Sequence, residues 1–396
     1  MTSIDQTLPH GTRDAVVTPS PAYGFRSFPP AIQILVGVCV AALIAAIVLD
    51  PVRGFGNVLL WGNYFVGLGL AGMFFVAIHD LSGAGWATVF RRVPLAFTAL
   101  LPLGAALILV AFVLGGDSMY PWMAGEHLQG FKALWLSTPF AQARAVVYIA
   151  LWLLFARVFR RSNAISVDGV RRDARIGAMF VVVFGLTVWL SSVDWIMSLE
   201  PFWYSTMFGV YRFAGLFAAG LSAITIAVVV LRKRGAFGEA INEYHLHDLG
   251  TLLFAFCTFW MYIWFSQYML IWYSNISEEA TWFVPRTARG WGEVMALLLL
   301  VHWIIPFGVM LSARAKTNER VLIRIAGMVL FAHWLDLFIQ IFGSLSPDVP
   351  PIGWWELAAM FSAVVIAVAL VAARLSSEPL MPDKHPLFSE SVHHHG

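Results

Sequence analysis

Charge is what this chain of 396 residues has least of: Asp, Glu, Lys and Arg make up only 12% of it, against 59% hydrophobic residues. Soluble domains carry about 25% charged residues, so the composition excludes a water-soluble globular protein, and a mean hydropathy of +0.75 agrees. Cysteine is almost missing. Cys39 and Cys257 both sit inside apolar runs, with no C-x-x-C and no C-x-x-C-H anywhere. Those absences exclude a covalent c-type haem, an iron–sulfur cluster and a structural zinc within the chain. A glycine-rich phosphate loop beside a strand is also lacking, so no nucleotide chemistry is legible. No run alternates in the manner of a membrane β-strand, which leaves helices as the way to satisfy backbone polar groups in lipid.

What the chain has in abundance is long uncharged runs. From Thr251 to Tyr273 it reads TLLFAFCTFWMYIWFSQYMLIWY, a span dense in aromatics and followed by the acidic loop SNISEEATWF. Similar runs of about 20 residues, bounded by charge, Pro or Gly, predict spans at 31–49, 56–79, 93–114, 139–158, 177–197, 208–231, 248–273, 289–312, 322–343 and 353–373. The expected fold is therefore an all-α polytopic membrane protein with ten transmembrane helices in residues 31–373. A polar tail of residues 1–30 precedes them, without the features of a cleaved signal peptide. The tail of residues 374–396 follows, expected to be irregular and solvated, with His393 to His395 too few for a metal site.

Orientation follows from Lys and Arg. Of the 25 in the chain, Arg144, Arg157, Arg212, Arg289 and Arg324 fall in or at the rims of spans. Only Arg53, Lys132 and Arg286 lie on the loops opposite the termini, and the remaining seventeen share the termini's side. The positive-inside rule then puts both termini in the cytoplasm of a bacterial inner membrane. With a net charge of +2, this asymmetry is a topology signal and implies no nucleic-acid partner.

An internal repeat organises the spans. Span five ends with Trp189-Leu190 and Ser198-Leu199-Glu200-Pro201, and span nine ends with Trp334-Leu335 and Ser344-Leu345-Ser346-Pro347. Because four helices separate equivalent points, the copies run in the same direction. Two parallel four-helix bundles are expected, at about 56–197 and 208–343, flanked by spans one and ten.

Ionisable residues inside a bilayer are costly and mark function. An inner series of Glu293, His302, His333 and Asp336, with His247, Asp248, His79 and Asp80 at helix ends, reads as a candidate proton pathway. An outer group of Asp194, Glu200 and Arg212, with Trp195, Trp203 and Tyr211, has the carboxylate, cation and aromatic surface to hold a quinol headgroup or release its protons. In that group Arg212 is the expected partner of Asp194 or Glu200. His302 and His333 also meet the minimum for a b-type haem, two facing imidazoles. The loop from Gly115 to Ser137, with Met119, Tyr120, Trp122 and Trp135, is the expected docking surface for partners.

The stretches SSVDWIMSLEPFWYSTMFGVYRFAG (191–215) and HDLGTLLFAFCTFWMYIWFSQYMLIWYSNISEE (247–279) resemble the ActF membrane subunits of alternative complex III, within the wider NrfD and PsrC-like family. The resemblance covers spans two to nine. It implies a subunit of a quinol:electron-acceptor oxidoreductase without redox centres of its own. Haem c and iron–sulfur clusters would belong to partners: a paralogous NrfD-like membrane subunit, an iron–sulfur protein and a multihaem cytochrome c, with menaquinol or ubiquinol as the complex's substrate. Repeats and midplane polar groups suit a stand-alone secondary transporter as well. A structural anchor for redox subunits is the third reading.

Overall fold

The computed structural model describes residues 24–162, 165–288 and 290–395. Arg13 and Arg289, counted above, lie outside the described residues, as does the N-terminal tail before Gly24. The protein is all-α, 79% helical, with no strand and ten membrane-length apolar helices among the described residues. These are α1 (Pro30–Leu49), α2 (Pro51–Ser82), α3 (Thr88–Leu114), α4 (Thr138–Arg161), α5 (Val167–Leu199), α6 (Phe208–Lys233), α7 (Glu243–Ser274), α8 (Trp291–Met310), α9 (Glu319–Leu345) and α10 (Trp354–Leu375).

Several helices start earlier than their apolar runs, because caps rather than hydropathy decide where a helix begins. Ser166 accepts from the amide of Gly169, so α5 opens ten residues before the expected 177. Asn242 accepts from the amides of Tyr244 and His245 at the start of α7. Asp50 is the whole connection between α1 and α2, and its side chain accepts from the amide of Arg53.

The most enclosed helices are α2, α6 and α9, and they form the core. Helix α2 packs on α3 and α5, while α6 packs on α7 and α9. Across the centre α2 meets α6, and α5 meets α6 as α9 meets α2. The packing relations of α2 to α5 therefore recur among α6 to α9. Glycines allow a close approach between α2 and α3: a Cβ on Gly62 would meet Ile108, one on Gly69 would meet Leu101, and one on Gly72 would strike the Pro94 carbonyl. Outside this core, α1 and α10 pack on each other. Arg53 and Asn57 of α2 both donate to Glu356, a fully buried carboxylate that also caps the start of α10.

Two expectations for the loops need correction. Within the Gly115–Ser137 loop most of the side chains expected to form the docking surface turn inward, while Phe131 and Leu134 are exposed. Met119, Tyr120 and Trp122 are buried; the Tyr120 hydroxyl donates to the Trp195 carbonyl at 2.7 Å and the Trp122 indole to the Ser198 carbonyl at 3.1 Å. Unpaired carbonyls at the end of α5 draw these aromatics inward. The C-terminal tail is likewise docked, not solvated. Its short helix Phe388–Val392 places Ser391 against α3, accepting from Val89 N–H at 3.0 Å and donating to the Trp86 carbonyl. His394 then reaches Asp248 at 2.8 Å.

Close backbone contact makes Gly72 the sensitive position of the α2–α3 pair. Gly72→Val is expected to cost about 1–3 kcal/mol, whereas Gly185→Val on α5, where nothing lies within 4 Å, is expected to be neutral. Thermal unfolding in detergent measures both. The docked tail is expected to respond to acid through His385. Burial, then the nearby Arg91, holds this imidazole down at about 4, against a weaker opposing pull from Asp173. The free tail would bind that proton at its ordinary 6.5, so docking is complete above pH 6.5 and is lost as pH falls from about 6.5 toward 4. The anisotropy of a dye on a His395→Cys variant should drop across that window, and His385→Gln should flatten the step.

Candidate functional site

Residues of α9 at spacings of three and four share one helix face, so His333, Asp336 and Gln340 all point into the core, each about 1% exposed. Helix α6 answers with Tyr211 and Gly215, four apart. Gly215 is small for a reason: a Cβ there would stand 3.1 Å from both the Asp336 carboxylate and the His333 ring. Helix α7 turns the stripe Leu253, Cys257, Trp260 and Trp264 inward, and α8 contributes Met295, Leu298 and His302. The aromatic run of α7 thus supplies the site as well as packing.

These elements bring a polar cluster together in the middle of the molecule. Asp336 accepts a hydrogen bond from the Tyr211 hydroxyl and a second from the Trp260 indole at 3.3 Å. His333 Nδ1 stands 4.0 Å from the same carboxylate. On the far side of Trp260 the His302 ring packs edge-on, with centroids 3.9 Å apart. Neither nitrogen of His302 has a hydrogen-bond partner among the described residues, although the residue is fully buried. Beside Tyr211, buried Arg212 donates to Gln340 and to Asn63 of α2, both at 3.4 Å. The cluster therefore holds one carboxylate and one guanidinium close enough for each charge to act on the other. Next to Arg212 a cavity of about 20 Å³, lined by Asn63, Ser191, Ser192 and Trp195, has room for about one water.

His302 lies in a π-helical turn, Leu300–Ile304, that interrupts α8. Such one-turn bulges rotate the side chains that follow and recur at functional sites. Each imidazole packs against an aromatic ring, His302 on Trp260 with centroids 3.9 Å apart and His333 on Tyr64 at 5.4 Å.

The two groups of ionisable residues expected from sequence are regrouped by the fold. Tyr211 and Arg212 belong to the Asp336 cluster, and Arg212 is not the partner of Asp194 or Glu200. Asp194 instead accepts from Trp135, Tyr148 and two nitrogens of Arg144, all at 2.9–3.0 Å. Glu200 pairs with Arg286 at 3.0 Å and accepts from Ser344. Trp203 donates to the Glu279 carbonyl and stacks on Trp282. Trp195 is buried beside Trp152. The outer group is thus divided, with each carboxylate engaged by its own arginine and Trp195 and Trp203 buried. Glu293 is exposed on α8 and does not join His302, because nine residues of α-helix place two side chains on opposite faces. His79, Asp80, His247 and Asp248 lie at the arginine-rich end. Asp80 pairs with Arg91, His79 bonds the Phe75 carbonyl, and His247 sits 3.5 Å from Asp248.

Sequence reading missed the two arginines that do most of the pairing. Arg286, counted as a loop residue, is fully buried. It donates to the carbonyls of Trp282 and Ile339 and to Ser344, and so caps the end of α9. Arg144 was counted only as a residue within a span. A signal was present, since a tryptophan precedes each, nine residues before Arg144 and four before Arg286. Trp135 and Trp282 each lie 4.0 Å from the guanidinium they cover. No group of three or more metal-ligating side chains forms among the described residues.

The Arg144–Asp194 pair supplies a stability test. Asp194→Asn or Arg144→Met alone leaves a buried charge without its partner and is expected to cost about 3–5 kcal/mol. The double variant Asp194→Leu with Arg144→Met should recover much of that loss, as read by thermal unfolding. Compared with known proteins, the chain finds no match in a scan of protein-family models and none in a search of curated proteins.

Proposed function

We propose that this integral membrane protein is a proton-conducting subunit of a quinol:electron-acceptor oxidoreductase of the alternative complex III type, in a bacterial inner membrane with both termini cytoplasmic. The observation that carries the proton role is the Asp336 cluster. It places a carboxylate, a phenol and two imidazoles in one buried contact between α6, α7, α8 and α9. Groups that accept and release protons are expensive at that depth unless they serve transport or catalysis. The orphaned nitrogens of His302 and the water-sized cavity by Arg212 extend the chain of polar groups on either side of Asp336. A water at each position would complete a relay toward Ser191 and Ser192.

In this reading quinol is oxidised on a paralogous NrfD-like chain, and haem c and iron–sulfur clusters sit in further partners. The resemblance of residues 191–215 and 247–279 supports that assignment. A secondary transporter is the second reading, favoured by one feature, the π-helical interruption of α8 at mid-span.

The test pairs composition with function. Gentle extraction from the native membrane, followed by mass spectrometry, should recover a second polytopic chain, a multihaem cytochrome c and an iron–sulfur protein; recovery of this chain alone would defeat the complex and leave transport. In the assembled complex, Asp336→Asn with His302→Ala should lower proton translocation in vesicles by about tenfold or more. Unchanged translocation at unchanged turnover would remove the relay.

A further inference from the structure

At the arginine-rich end of the molecule, the ends of α4 and α10, the start of α3 and the returning C-terminal tail enclose a cavity of about 260 Å³. Its polar wall is cationic. Arg92, Arg160, Arg374 and Lys384 face it against Glu378 and Asp383, an excess of two positive charges, four minus two. Arg91 also lines it but is engaged by Asp80 and Asp173. His385 adds no charge at neutral pH, since burial holds it at about 4.

The arrangement of the guanidinium groups is specific. Arg92 and Arg374 converge on one carboxylate, Glu378, at 3.0 and 2.8 Å. Two arginines spaced to grip one pair of carboxylate oxygens are also spaced to grip two oxygens of a phosphate. Arg160 lies near enough to Arg374 to be repelled by it, feels a weaker pull from Glu378, and has no direct carboxylate ion pair among the described residues. Bringing these cations together costs energy that an anion would offset. The remaining wall is apolar, with Leu95 and Leu375 among its residues. The helices that carry Arg160 and Arg374 continue into the hydrocarbon with exposed Leu154, Val364 and Val368.

A cationic cup at the membrane surface, with an apolar wall opening along lipid-facing helices, matches a two-part ligand. We propose that the cavity binds the phosphate of an anionic phospholipid between Arg160, Arg374 and Arg92, with the acyl chains running down α4 and α10. The lipid also bridges the membrane domain to the C-terminal tail, because Lys384 belongs to that tail. Glu378 is the internal competitor: it occupies part of the phosphate position until the lipid enters.

The experiment uses the full chain in mild detergent, relipidated with phosphatidylcholine alone or with added phosphatidylglycerol, and counts retained lipid by native mass spectrometry. Wild type is expected to retain phosphatidylglycerol selectively through a phosphatidylcholine wash. Arg160→Gln with Arg374→Gln should lower that retention by about tenfold or more, and Glu378→Gln should raise it. Arg314→Gln with Arg320→Gln, on the same face but outside the cavity, should change nothing. Equal retention in the Arg160/Arg374 variant would overturn the site. Should that variant fail to fold, unchanged retention in Glu378→Gln would overturn it instead. Inorganic phosphate alone, if it raised the unfolding temperature as much as phosphatidylglycerol does, would show a free-anion site and sink the lipid.

Discussion

Asp336 is the residue on which the arrangement of the core depends. A carboxylate taken out of water loses several kcal/mol of hydration, and here that loss is met from other helices, by the Tyr211 hydroxyl of α6 and the indole of Trp260 on α7. One side chain on α9 therefore fixes the rotation of three helices about their axes. Gly215 lets α6 come close enough for this to happen. Arg212, next to Tyr211, carries the network into α2 through Asn63. In a bilayer, where apolar surface gives little preference for one helix face over another, such polar contacts are what choose the register.

The same logic recurs toward the end of the molecule where α5 and α9 terminate. Asp194 is gathered by Arg144, Trp135 and Tyr148, and Glu200 by Arg286 and Ser344. In each case an arginine lies flat against a tryptophan and also donates to backbone carbonyls. Both carboxylates are fully engaged within the protein. The Asp336 cluster differs. His302 has two uncommitted nitrogens, and the cavity beside Arg212 can take a water. Filled hydrogen-bond capacity makes a brace, and the Asp336 cluster keeps some of its capacity spare.

At the opposite end the chain closes on itself. The tail returns under α3 and α7, with Ser391 buried and His394 on Asp248. Asp248 is thus tied to the protein's own C-terminus, and His79 and Asp80 lie beside His385 and Leu387 of the tail.

Composition alone determined that this chain lives in a membrane, because 59% hydrophobic and 12% charged residues cannot clothe a soluble surface. The lengths of the uncharged runs determined ten helices, since a fixed hydrocarbon thickness converts run length directly into span. Their ends were less legible, as at α5 and α7, where Ser166 and Asn242 cap beyond the apolar run. The sequence also marked His302, His333 and Asp336 as the buried ionisable residues of α8 and α9, from depth alone. Which residues face each other was decided by the tertiary structure. Tyr211 and Arg212 were grouped with Asp194 because depth along the chain said so, yet rotation about the helix axis sent them to Asp336. Trp260 was one aromatic among many until packing aimed its indole, and Glu293 shared a helix with His302 but not a face. Hydropathy is a property of one helix, whereas a buried charge is satisfied only by a neighbour, and no one-dimensional pattern names that neighbour.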